Sequence, residues 1–84
     1  MNKLKLKTAN QESVVYLYIP EGKGEPGEIL VNLPTGEATV TSPATEDYSV
    51  AGTYYYYGHK AAKAIVRCVV ETKNLPLEFT NAWY

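Results

Sequence analysis

Short stretches of strict apolar–polar alternation, each cut off by glycine, proline or a polar cluster, constrain this chain most. Residues 3–7, Lys-Leu-Lys-Leu-Lys, place every second side chain on one side of an extended backbone. Lysines on the open side discourage edge-to-edge pairing. In residues 14–19, Val15, Leu17 and Ile19 share one face, with Val14, Tyr16 and Tyr18 opposite, and Pro20 ends the run. Residues 20–27 form a loop. Residues 28–33 then read as a strand with Ile29, Val31 and Leu33 inward. Pro34-Thr35-Gly36 is a tight turn, and residues 38–42 return antiparallel with Ala38 and Val40 inward.

The second half is less uniform. Residues 43–47 read as a polar turn and 48–50 as a short strand. Tyr54–Tyr57 are four consecutive tyrosines. As a strand they would send Tyr54 and Tyr56 to one face, Tyr55 and Tyr57 to the other. Residues 59–73 support two readings. Ile65, Val66, Val69 and Val70 favour a strand. Lys60, Lys63, Arg67 and Glu71 recur at helical spacing, and Ala61, Ala62 and Ala64 are good helix formers. Residues 77–79 read as a last short strand. Together these segments predict one mainly β domain over residues 1–84. The expected form is a small five-stranded OB-like barrel with a short helix near 59–66. The alternative is an α+β domain with a helix at 59–73.

A chain of 84 residues has a small core, because domains of this size bury only about 60% of their unfolded surface. No apolar run is long enough for a membrane helix, and the basic start lacks the apolar stretch of a signal peptide. The chain therefore reads as soluble, with membrane attachment only through a missing anchor or a partner. Cys68 is the single cysteine, which suits a reducing compartment and favours the cytoplasm over secretion. Net charge is −1, yet residues 1–23 hold four lysines and two glutamates, 24–57 five acids and no base, and 58–84 four bases and two acids. An acidic middle between basic ends can fold into complementary surfaces, or stay as solvated loops.

Chemistry-bearing motifs are sparse. Residues 22–27 spell G-x-G-x-x-G, but Pro26 and the β-rich run after it oppose the helix that a dinucleotide site requires, so no cofactor is expected. His59 and Cys68 are too few of their kinds for a structural zinc site. A formal Ser49, His59, Asp47 set lacks a strained elbow or oxyanion site, and Glu46-Asp47 reads as a pair of solvated turn acids. The chain is thus expected not to be an enzyme.

The aromatic residues are the candidate interaction set: Tyr16, Tyr18, Tyr54, Tyr55, Tyr56, Tyr57, Trp83 and Tyr84. Tyrosine combines apolar area with a polar tip, and aromatic anchors often dominate interfaces. Three readings remain: core and rim packing, contact with a protein partner or a second copy, and a stacking platform for single-stranded nucleic acid. The last is disfavoured because the tyrosines follow an acidic segment.

Val15-Tyr16-Leu17-Tyr18-Ile19-Pro20, then Gly27-Glu28-Ile29-Leu30-Val31, resembles the soluble C-terminal domain of NfeD-type membrane-associated proteins. Val50-Ala51-Gly52-Thr53 looks like that family's turn into its fourth strand. The resemblance covers roughly residues 14–70. It departs at Tyr54–Tyr57 and at Lys60-Ala61-Ala62-Lys63-Ala64, and it lacks the family's preceding membrane spans. It implies an OB-like barrel and a non-enzymatic assembly role beside flotillin- or stomatin-like membrane scaffolds.

Overall fold

A computed structural model describes residues 1–48 and 56–82. Five strands carry the fold: β1 Asn2–Ala9, β2 Ser13–Pro20, β3 Gly27–Asn32, β4 Glu37–Ser42 and β5 Glu78–Asn81. A short helix, α1 Thr45–Tyr48, precedes the longer α2 Tyr56–Ile65, which continues as a π-helical stretch, Val66–Glu71. The strands form one antiparallel sheet in the order β4-β3-β2-β1-β5. The fold is mainly β, as its alternation predicts. Closure into a barrel is not seen: the described strands make an open sheet with β4 and β5 at its edges.

Alternation sets which face is buried. On β2 the even positions Val14, Tyr16, Tyr18 and Pro20 are buried, and the odd positions are only half-buried. Their inward neighbours are Leu4 on β1 and Ile29 and Val31 on β3. Ala61, Ile65 and Val69 cover this face from the helical side. They recur every fourth residue, so one stripe of the helix meets the sheet.

Local chemistry fixes the turns. The Asn10 carboxamide oxygen accepts from the Glu12 and Ser13 amides at 2.8 Å each, closing the β1–β2 connection. In the β3–β4 turn the Gly36 amide donates to the Asn32 carbonyl at 2.7 Å, with Gly36 at φ 75°, a region open to glycine. The glycine motif of residues 22–27 leads into β3, not into a helix.

Two expectations are corrected. Tyr56 and Tyr57 belong to α2 and not to a strand, while Tyr54 and Tyr55 lie outside the described residues. Tyr48 ends α1 instead of opening a strand, and Ser49 and Val50 also lie outside. Residues 59–71 are helical throughout, close to the span of the α+β alternative.

Candidate functional site

Asp47 is fully buried yet surrounded by donors. The Tyr18 hydroxyl and the Gly58 amide (3.0 Å) both donate to its Oδ2, and the Tyr57 amide donates to Oδ1 at 2.9 Å. A carboxylate on the first amides of a helix satisfies orphan donors and complements the helix dipole. The Tyr18 hydroxyl also accepts from the Ala44 amide at 3.0 Å. The Tyr18 ring lies across Gly27, its partner on β3, where an added Cβ would fall 2.6 Å from Cζ. Gly58 is equally confined, since a Cβ there would fall 2.8 Å from Val40 Cγ2. Asp47, read from sequence as a solvated turn acid, is instead the cap that starts α2.

Tyr16 occupies the middle of the core. Its hydroxyl donates to the Pro76 carbonyl at 2.6 Å, and its ring meets Phe79 edge-on with centroids 5.9 Å apart. Burial, and secondarily the charge of nearby Cys68, push its pKa up to about 12.

Tyr16 and Tyr18 therefore offer no contact surface: both are 0% exposed, because the even face of β2 is the one under the helix. Tyr57 is half-buried against the core. The side chain of Tyr56, and Trp83 and Tyr84, lie outside the described residues. The expected ribbon of outward rings is not what the described part of the sheet presents.

The sheet's other face carries aliphatic residues instead. The described helical run packs on the opposite, Tyr16 and Tyr18 side. Val15, Leu17 and Ile19 of β2 line it, with Leu30 of β3 directly opposite Val15 and 37% exposed. Lys3 and Lys5 of β1 stand opposite Ile19 and Leu17, and Glu28 of β3 stands opposite Leu17 on the far side. One row across the face thus reads Lys5, Leu17, Glu28. A β1 irregularity after Leu6 frees Lys7 to reach Glu28 Oε2 at 2.9 Å. Sequence reasoning identified these two faces of β2 and looked to the rings for contact. Tyr16 and Tyr18 lie on the side under the helix.

A second surface lies beside β4. The strand side contributes Ala38, and the helix contributes Ala62, Lys63, Val66 and Arg67 to a groove of about 440 Å³. Among the described residues no cluster of His, Cys, Asp and Glu could hold a metal ion, and no helix is long and apolar enough to cross a membrane. His59 and Cys68 sit nine positions apart on one helical run, a separation of roughly 13 Å along the axis. No protein-family model, curated protein or solved structure matches the chain.

Proposed function

We propose that the chain is a non-enzymatic assembly module that self-associates through the sheet face opposite its helix. The observation that carries this reading is the aliphatic stripe Val15, Leu17, Ile19 and Leu30 on the sheet face opposite the helix, with Leu30 37% exposed and no second layer over it among the described residues. A sheet normally hides such a face against a second layer. Face-to-face sheets pack about 10 Å apart with side chains interdigitating.

Charge arrangement favours a second copy as that layer. Rotation by half a turn about an axis along β2 sets β2 on β2 and lays β1 of each copy over β3 of the other. Lys5 and Glu28 share one row on opposite sides of Leu17, so the operation brings Lys5 of each copy to Glu28 of its mate, beside the Lys7 that already pairs with it. A patch that is its own complement is what a two-fold interface requires.

The chemistry-bearing groups support a role without catalysis. Asp47 and Tyr18 are committed to starting α2, and Tyr16 to anchoring Pro76. The helical separation of His59 and Cys68 exceeds the reach of a nucleophile–base pair. The resemblance to NfeD-type domains, which implies an assembly role, points the same way.

Sedimentation velocity tests the reading. The wild-type chain should show concentration-dependent dimerisation up to roughly 1 mM, the range where even weak association of about 4 kcal/mol registers. Leu17→Lys, which places a charge on the axis, should remain a monomer with an unchanged far-UV spectrum. A wild-type chain that stays monomeric over that range, or a variant that dimerises equally well, would refute it.

A further inference from the structure

We propose that the groove between β4 and α2 takes an extended acidic peptide as an added strand, with two of its carboxylates on Lys63 and Arg67. This goes beyond self-association, because it uses a sheet edge and not the face opposite the helix.

Among the described residues β4 pairs with β3 alone. Its other side is an edge, where unpaired backbone donors and acceptors can template another strand. Neither lysine nor proline interrupts Glu37–Ser42, and its one irregularity, at Thr41, lies toward the far end from Ala38. Strand addition beside a helix is a general mode of peptide recognition: the backbone supplies affinity, and alternate side chains supply specificity.

The groove sets that specificity. Alternate side chains of an added strand would face the helix, over the half-buried Ala38, Ala62 and Val66. Lys63 and Arg67 flank this floor, exposed and without an ion pair among the described residues. They are one helical turn apart, a rise of about 6 Å. Same-face residues of a strand repeat at about 6.6 Å. An added strand that runs along the helix therefore spaces the carboxylates of an acid-x-acid segment to match both cations. Glu71 lines the groove beyond Arg67 and would repel a third acid there, which leaves that position neutral or basic.

The same charges exclude a second copy at this edge. Pairing β4 with its own mate would bring two helices together, each carrying Lys63 and Arg67 on the facing side. Like charges at such range oppose the contact.

Fluorescence anisotropy with labelled synthetic peptides tests the proposal on the whole chain. The probe is a threonine heptapeptide with glutamate at its third and fifth positions. One control replaces both by glutamine, and another places proline at the central threonine. The glutamate peptide should bind, with amide shifts concentrated in residues 37–42. The glutamine peptide should bind at least about five-fold more weakly, and the proline peptide not at all. Lys63→Glu combined with Arg67→Glu should invert the preference toward a threonine–lysine peptide; both positions are exposed, so the fold should persist. Equal binding of the glutamate and glutamine peptides, absence of binding, shifts confined to β2, or tighter binding of a single-stranded oligonucleotide would each overturn it. Leu17→Lys should bind the peptide as wild type does, so loss of dimerisation and loss of peptide binding are separable.

Discussion

Two tyrosines two residues apart on one strand do different work. The Tyr18 hydroxyl donates to a buried carboxylate and accepts from the Ala44 amide. Tyr18→Phe leaves both groups short of a partner and should cost about 1–3 kcal/mol in chemical denaturation at neutral pH. A loss well under that range would show that solvent replaces the hydroxyl. Tyr16 has a pH signature instead. Its pKa is pushed up to about 12, chiefly by burial, so the folded chain keeps the proton at pH values where the unfolded chain releases it. The stability this contributes is complete below the ordinary tyrosine pKa of about 10, and falls as pH rises toward about 12. Urea melts at about pH 8 and about pH 11 should show wild type losing more stability between the two than Tyr16→Phe. Parallel losses would dismiss burial of the phenol as the cause. The alternation of β2 announced that these rings share a face. It did not announce which face, since Val15, Leu17 and Ile19 are as apolar as Val14, Tyr16 and Tyr18. Gly27 carried the missing hint: a bare position on β3 is where a large ring from β2 can lie flat.

At the scale of elements, the first four strands were legible, whereas the helix was legible only as one of two readings. Residues 3–7, 14–19, 28–33 and 38–42 each carry a period of two and clear turn residues, and each becomes a strand within a residue or two. Residues 59–71 carry Ile65, Val66, Val69 and Val70, whose branched side chains suit strands, so local preference and periodicity disagreed. The stripe Ala61, Ile65, Val69 decides for helix, because only that winding presents a narrow surface to the sheet. The start of α2 was illegible for a different reason. Its cap is Asp47, separated from Tyr57 by residues that no local pattern links to it. Ala61 is 0% exposed where helix meets sheet. Ala61→Leu should therefore force the layers apart and cost about 1–3 kcal/mol, whereas Lys63→Ala on the exposed side should stay within about 0.5 kcal/mol. Equal effects in thermal melts would contradict this packing.

For the whole molecule, the sequence specifies strand content better than closure. Five short strands suit a barrel as well as an open sheet; the difference lies in whether the two edges meet, and no residue pattern within a strand encodes that. Among the described residues the open sheet has edges at β4 and β5 and a face opposite the helix; the two proposed contacts use the β4 edge and that face. Aromatic content turned attention instead toward a set of rings of which Tyr16 and Tyr18 lie in the core. The Asp47 clamp has a further consequence for chain connectivity. Its carboxylate grips Tyr57 and Gly58 across the intervening segment, so residues 47 and 58 are held together by more than the peptide backbone that joins them. A scission in that segment would release a tether whose two ends are already stapled.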